Sequence, residues 1–481
     1  MKRLIILGIL FGFIFVGCKL GPNYVRPPVP TQQDWREKEK TDATLANTAW
    51  WDLYKDDTLQ QLIKIALHDN KNANIALERI QEARAQLGIT KADLYPHVNG
   101  EAVVAGLKPS ENAFPKETET DAHGYYILRA SVSWELDFFG RVRRATEAQQ
   151  AILLGTEDAY RNSIILLVSD VAGTYSDLRG LDLELEVAQQ TLKSRQEYVD
   201  LAKARFEGGV TPELDWRQAE AEFYRTQSIV YDLERQIRIS ENALSILLGR
   251  PPGEIPRGLG IREQATLPEI PSGLPSQLLE NRPDILAAEQ LLVAENARIG
   301  EAKALMFPQI QLTGGYGVVS RDLSTLIEGA SQTWTIVPSL LQSIFDYGQN
   351  KNRVRAQESR QRQAVLAYQQ TILASFEEVE DALINYNKNG EQRVSQGQRV
   401  AALEKVLMLS DARYRGGVAN YLEVLDAQRS LFDAQLEEIN TIRAHTASFV
   451  RIYKALGGGW PYQPTAAHEP TEQQPSQKST N

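Results

Sequence analysis

Ala204-Arg205-Phe206-Glu207-Gly208-Gly209-Val210 returns 208 residues later as Ala412-Arg413-Tyr414-Arg415-Gly416-Gly417-Val418. At the same offset Leu214 meets Leu422, Ala219 meets Ala427, and Leu248-Gly249 meets Leu456-Gly457. Upstream, Lys91-Ala92-Asp93-Leu94-Tyr95-Pro96 matches Lys303-Ala304-Leu305-Met306-Phe307-Pro308 at an offset of 212, and Gly88 and Gly300 keep that register. Residues 70–249 and 282–460 are therefore two copies of one unit. A proline-rich connector, 250–281, joins them. Residues 18–69 precede the first copy and include one further helix, and 461–481 form a polar tail read as disordered.

Each copy reads as helix, strand, strand, long helix, tight turn, helix. In the long helix Ile164, Val171, Leu178, Leu185, Leu192, Val199 and Phe206 are apolar at a spacing of seven. The second copy has Ile372, Val379, Tyr386, Arg393, Val400, Leu407 and Tyr414 in those slots, with Arg393 alone out of pattern. A sustained period of seven predicts helices that coil around neighbours. No proline falls between Arg141 and Phe206, and at 1.5 Å per residue that stretch gives a rod of about 100 Å. Gly208-Gly209 and Gly416-Gly417 allow the left-handed backbone that ends a helix and starts its antiparallel return. A bulky β-branched residue at Gly208 or Gly416 is expected to strain that turn.

Leu128, Ala130, Val132, Trp134 and Leu136 alternate with Arg129, Ser131, Ser133, Glu135 and Asp137. That is the period of a strand, over a length that suits a tilted transmembrane one. Val98, Gly100, Ala102 and Val104 share a parity with Ile310, Leu312, Gly314 and Tyr316 of the second copy. A fourth, weaker strand near Trp334–Leu340 contains Pro338. Loops near 108–123 and 319–332 join the strands of each pair. A half-buried soluble sheet shows the same alternation. Four strands cannot close a membrane barrel, so strands that span require several chains.

The chain has 481 residues, 42% of them apolar and 24% charged. Its net charge of −10 argues against a nucleic-acid partner. One cysteine, Cys18, excludes a disulfide framework or a thiolate cluster. Five histidines and three methionines lie scattered, so no metal site and no cofactor are expected. There is no Gly-x-x-x-x-Gly-Lys phosphate loop. Gly314-Gly315-Tyr316-Gly317 reads as strand, and Leu456-Gly457-Gly458-Gly459-Trp460 as a helix stop. Glu377 and Glu378 read as a charged helix face and Trp50-Trp51 as a packing anchor. No enzyme activity is expected.

Lys2 and Arg3 precede an apolar run from Leu4 to Val16, too short for a spanning helix but suited to a signal peptide, residues 1–17. The run ends in Phe15-Val16-Gly17-Cys18, which resembles a bacterial lipobox, with Phe15 where leucine is usual. Cys18 would then carry diacylglycerol on its sulfur and an acyl chain on its nitrogen, anchoring the chain in membrane lipid. An ordinary signal peptide beside an incidental cysteine reads the same run. Lys19, rather than aspartate, after the cysteine suggests the outer membrane. Cleavage would remove Lys2 and Arg3 and no acid, taking the charge from −10 to −12.

After the second turn Val418, Leu425, Phe432 and Ile439 form an apolar seam beside a stripe of Asp426, Asp433 and Asn440. The first copy has Gln218, Arg225 and Asp232 in the stripe's slots. Leu422 and Asp426, four apart, share a face. On the residues alone, Asp426 also reads as a surface group paired with Arg429.

Four sets of residues complete the picture: Cys18-x-x-Gly21-Pro22-x-Tyr24-x-x-Pro27; Trp50-Trp51; Gly273-Leu274-Pro275-Ser276-x-Leu278-Leu279-x-x-Arg282-Pro283-Asp284-Ile285; and Asn420-Tyr421-Leu422-x-x-Leu425-Asp426-Ala427-Gln428-Arg429. With the paired turns, their order resembles the outer membrane factor family of TolC-like channels. The resemblance is in particular to the lipoprotein branch serving resistance-nodulation-division efflux systems. The resemblance implies a mainly α fold with a small transmembrane β part. Three chains would form a homotrimer whose twelve-stranded β-barrel continues as a periplasmic α-helical barrel. It implies that Gly208, Gly209, Val210, Gly416, Gly417 and Val418 contact a periplasmic adaptor, itself linked to an inner-membrane pump. It also implies that rings of Leu422 and Asp426 close a periplasmic gate. The implied function is a passive duct for small molecules or ions. A type I protein secretion duct and a structural coiled-coil lipoprotein without a pore are the alternatives.

Overall fold

The computed structural model describes residues 18–29, 35, 55–108, 110, 123–264 and 279–458. The leader 1–17, Trp50-Trp51, residues 273–278, most of the 108–123 loop and the tail 461–481 lie outside the described residues. The elements in chain order are α1 (Asp57–Asp69), α2 (Lys71–Ala92), β1 (His97–Leu107), β2 (His123–Leu136), α3 (Arg141–Glu207) and α4 (Glu213–Leu247). There follow α5 (Ile261–Gln264), α6 (Pro283–Ala304), β3 (Gln309–Ser320), β4 (Gln332–Leu341), α7 (Gln349–Arg415) and α8 (Tyr421–Ala455). Both long helices have 67 residues, and the element order of the first repeat recurs in the second. Among the described residues no helix is long and apolar enough to cross a membrane. The chain divides into two compact units, one of 1–30, 75–161 and 283–373, the other of 31–74, 162–282 and 374–481. Each unit thus takes part of each sequence repeat.

The first unit holds an antiparallel sheet in the order β1-β2-β3-β4. Its register sets Ala130 between Gly100 and Tyr316, and Val132 between Val98 and Gly314. Leu312 lies opposite Pro338, and Tyr316 opposite Trp334. Because side chains alternate, this register collects the apolar parity of all four strands on one face. That face is exposed along Val98, Val104, Leu128, Tyr316, Trp334, Ile336 and Leu340. The other face carries Glu101 paired with Arg129 across β1 and β2. The fourth strand is longer than its sequence signal, and Pro338 sits in it at the cost of the single ladder hydrogen bond its nitrogen cannot donate.

Beside the sheet α3 and α6 meet through Ala148, Ala151, Ala294 and Ala297, all buried. Residues 18–29 are stitched to these helices. Buried Arg144 donates to the carbonyls of Leu20 at 2.8 Å and Gly21 at 3.1 Å, and to Asn23 Oδ1 at 3.1 Å. Asn296 donates to the Pro22 carbonyl at 3.0 Å, and Tyr24 and Arg26 both donate to Glu289. Gly21 has φ +90°, and a Cβ there would meet the Cα of Gly300 at 2.4 Å. The spaced Gly-Pro-x-Tyr motif is therefore a strap whose every named residue has a contact to keep.

In the second unit buried Asp56 organises the start of α1 and the connector together. Its Oδ1 accepts from the Thr58 and Leu59 amides, capping α1. Its Oδ2 accepts from the Leu259 amide at 3.1 Å and from Gln264 Nε2 at 2.8 Å. Tyr175 also donates to that carboxylate, and its hydroxyl accepts from the Gly258 amide at 2.8 Å. Arg282, from the Arg-Pro-Asp motif, is buried and donates to the Ala455 carbonyl and to Glu378, each at 2.8 Å. Glu378 is thus an ion-pair partner as well as part of a charged helix face.

The period-seven seam is confirmed in part. Ile164, Val171 and Leu178 are buried, as are Ile372, Val379, Val400 and Tyr414. Leu185, Leu192, Val199 and Phe206 are only half-buried, while Ala188, Arg195 and Ala202 are buried instead. Ala188 and Ala202 share this buried line with Glu184, Arg195 and Tyr198, and the larger apolar residues of the period flank it.

Candidate functional site

The candidate site is the pair of helical hairpins in the second unit. The first turn closes as a Schellman motif: the Gly209 amide donates to Phe206 O at 2.9 Å and the Val210 amide to Arg205 O at 2.9 Å. The second repeats it, with Gly417 to Tyr414 O and Val418 to Arg413 O, each at 3.0 Å. The left-handed residues are Gly209 at φ +70° and Gly417 at φ +77°. Gly208 and Gly416 lack that conformation and still make helical bonds, to Ala204 O and Ala412 O. The strained positions are therefore the second glycine of each pair. Gly209→Val and Gly417→Val should each lose about 1–2 kcal/mol or more of turn stability, while alanine at Gly208 or Gly416 should be mild. Thermal unfolding of the four variants checks the order.

All six turn residues are solvent-exposed, and Val210 and Val418 are each 70% exposed. Val418 thus lies outside the buried seam proposed for it, because α8 begins only at Tyr421. Leu425, Phe432 and Ile439 do form that seam. Asn420 caps α8 through its side-chain oxygen, which accepts from the Glu423 amide. Tyr421 is buried with Tyr198 and Tyr414, at ring-centroid distances of 6.3 and 5.7 Å. Burial raises the Tyr421 phenol above its ordinary range, and it stays neutral. Tyr198 is pushed up to about 12 by burial and by its hydrogen bond to Asp411. Neither tyrosine ionises near neutral pH, so this is packing and positioning rather than acid–base chemistry.

Leu422 is 56% exposed and Asp426 is exposed on the same side of α8, where Asp433 and Asn440 continue the stripe. Asp426 makes no ion pair among the described residues. Arg429, its alternative partner, donates instead to Glu222 Oε1 through Nε at 2.8 Å and through Nη2. Glu222 is buried in α4 and also accepts from Arg195 of α3 at 2.6 Å, with Arg225 at 3.5 Å. Burial pushes the Glu222 carboxyl up, but the Arg429 hydrogen bond and the fields of Arg195, Arg429 and Arg225 outweigh it, leaving it below its ordinary range. Arg225 also lies 3.7 Å from Asp433 of the stripe.

Sequence reading missed this cluster because isolated charges at helical spacing look solvated. Comparing the repeats offers the signal: the counterparts of Arg195, Glu222 and Arg429 are Leu403, Ser430 and Ala221. Arg195 and Glu222 lie in the first repeat and Arg429 in the second, and each has an apolar or small counterpart, so the cluster is not duplicated with the fold. Cys18 lies apart, in the first unit. It is exposed, and Lys19 and Leu20 hold it beside Phe139 and Gly140, where β2 hands over to α3.

A family model described as outer membrane efflux protein matches residues 62–250 and 274–458. The chain is 35% identical over 450 residues to the cation efflux system protein CusC of Escherichia coli K12, covering 92% of this chain and 96% of that one. It is 33% identical to the probable outer membrane lipoprotein SilC of Salmonella typhimurium, over 96% of this chain and 100% of that one. The open state of the Neisseria gonorrhoeae MtrE outer membrane channel superposes with a TM-score of 0.83 at 29% identity, over 92% of this chain and 98% of that one.

Proposed function

This chain belongs to the outer membrane efflux protein family, and from that premise we propose that it is the outer-membrane channel of a tripartite efflux pump. Three copies form a passive duct for small molecules or ions. A periplasmic adaptor and an inner-membrane resistance-nodulation-division pump supply the load and the energy. The observation that carries this reading is the sheet, whose apolar residues gather on one face, exposed at Val98, Val104, Leu128, Tyr316, Trp334, Ile336 and Leu340, and whose outer strands are β1 and β4. An open edge is not tolerated in lipid, and a barrel needs about eight strands or more, so copies must share one. Three copies of a four-stranded sheet give twelve strands. Purified protein in planar bilayers should produce discrete conductance steps; a protein that binds the bilayer without steps counts against a duct.

Under this reading the turns at Gly208-Gly209-Val210 and Gly416-Gly417-Val418 dock the adaptor, and Leu422 with Asp426 forms the periplasmic gate. The exposure of both valines supports the first assignment, and the unpaired Asp426 supports the second.

Cys18 carries the lipid. Its position at the end of β2 suits an anchor leaving the chain at the membrane boundary. Mass spectrometry of the mature N-terminus should give Cys18 bearing diacylglycerol and an acyl chain. Cys18→Ser behind a substitute leader should still assemble, because Arg144 and Glu289 hold the strap independently of the lipid.

A further inference from the structure

The way the two repeats meet inside one chain defines how one chain meets the next. The offsets hold down to single hydrogen bonds. Trp134 Nε1 donates to Leu94 O at 3.0 Å, and Gln342 Nε2, at the 208 offset, donates to Met306 O, at the 212 offset, at 3.2 Å. The second strand of repeat one pairs with the first strand of repeat two, Val132 opposite Gly314 and Leu136 opposite Ile310. Beside this seam Phe139 stacks on Phe307, with ring centroids 5.0 Å apart.

The counterparts of these groups face solvent. β4 corresponds to β2 and β1 to β3, and they are the outer strands of the sheet. Tyr347 holds the place before left-handed Gly348 that Phe139 holds before left-handed Gly140; unlike Phe139 it has a positive φ, +50°, and it is 91% exposed with Phe345 edge-on at 6.4 Å. Tyr95 is the counterpart of Phe307 and is 67% exposed. Ile344, the counterpart of Leu136, is 98% exposed.

The geometry points to a seam between β4 of one copy and β1 of the next, built in the β2–β3 register and flanked by Tyr347 stacked on Tyr95 of the next copy. This rests on the reading of the chain as a trimeric duct. Carrying Val132–Gly314 across by the two offsets sets Leu340 opposite Ala102 of the next copy. Carrying Leu128–Val318 across sets Ile336 opposite Gly106 of the next copy. A slip of one residue would turn every apolar side chain to the wrong face. The transferred register instead keeps the apolar face continuous across the seam. Stacking offset aromatic rings at the membrane edge then adds specificity to pairing that backbone hydrogen bonds alone leave open to slippage.

Double-cysteine variants in outer membranes test the register, with a short bifunctional thiol reagent as the probe. Leu340→Cys with Ala102→Cys should give covalent dimers and trimers, because directly opposed residues hold their Cβ atoms about 5 Å apart. Leu340→Cys with Val98→Cys, four residues out of register, should give roughly tenfold less. Predominance of the second pair overturns the proposed register, as does absence of product from both while native gels show a trimer. A chain that is only monomeric in native gels overturns the duct reading itself, which is a separate outcome. The stacking is tested on intact trimers. Tyr347→Ala and Tyr95→Ala should each lower the temperature at which trimers dissociate, and the double variant should lose little more than either alone. Fully additive losses, or none, would overturn the contact.

Discussion

Glu222→Gln should loosen the hairpins and raise the basal conductance of the channel while leaving the trimer intact. Glu222 joins α3, α4 and α8 through Arg195, Arg225 and Arg429. Arg195 is 2% exposed and has no second acidic partner among its ion pairs in the described residues. Removing one member of such a buried pair leaves an uncompensated charge and costs about 3–5 kcal/mol. Glutamine keeps the shape and the Arg195 bond to the Glu222 main-chain carbonyl, so the loss reports the charge. Thermal unfolding and protease cleavage at the two turns measure it. Replacing the pair by its counterparts from the other repeat, Arg195→Leu with Glu222→Ser, should recover stability, since it leaves no unpaired charge buried on α3. Failure of that rescue would mean that Glu222 matters to α8 through Arg429 more than to α3.

The same cluster sets an acid limit. The folded Glu222 carboxyl lies below its ordinary value of 4.5, so the unfolded chain binds the extra proton first. Its stabilisation is complete above that ordinary value and is lost as pH falls through the depressed one. The hairpins should therefore be insensitive to pH near neutrality and loosen only in strong acid. Glu222→Gln should flatten the acid limb of an unfolding profile.

Leu422→Ala should give the second large effect, a rise in conductance of the closed channel. A ring of leucines on a three-fold axis excludes water, and a dewetted constriction blocks ions. Asp426→Asn should act differently, weakening cation preference and block by added cations with little effect on opening. Three carboxylates about 8 Å apart in water repel by roughly 0.5 kcal/mol per pair, too little to hold a gate open. Arg429 makes its salt bridge to Glu222 and not to Asp426, so under the gate reading Asp426 faces passing ions without a salt-bridged partner among the described residues. Single-channel recording separates the two variants. An unchanged closed state in Leu422→Ala would move the gate away from this turn of α8.

The repeat, the strand parity, the long helices and the glycine turns were all legible in the amino-acid order, because each is a local pattern with its own period. The period of two in Leu128–Leu136 fixes a face without reference to any partner, and an unbroken 67-residue helix follows from the absence of proline. Tertiary structure alone decided which side of a helix is buried and which charges are internal. It moved the buried line from Leu185 and Leu192 to Ala188 and Arg195, and the left-handed turn from Gly208 to Gly209. It also joined Arg195 to Glu222 and Glu222 to Arg429, residues 27 and 207 apart in sequence. A charged side chain reads the same in sequence whether it meets water or a partner. Only the approach of a second helix determines which, because the cost of burial is repaid solely by an opposite charge brought within hydrogen-bonding distance.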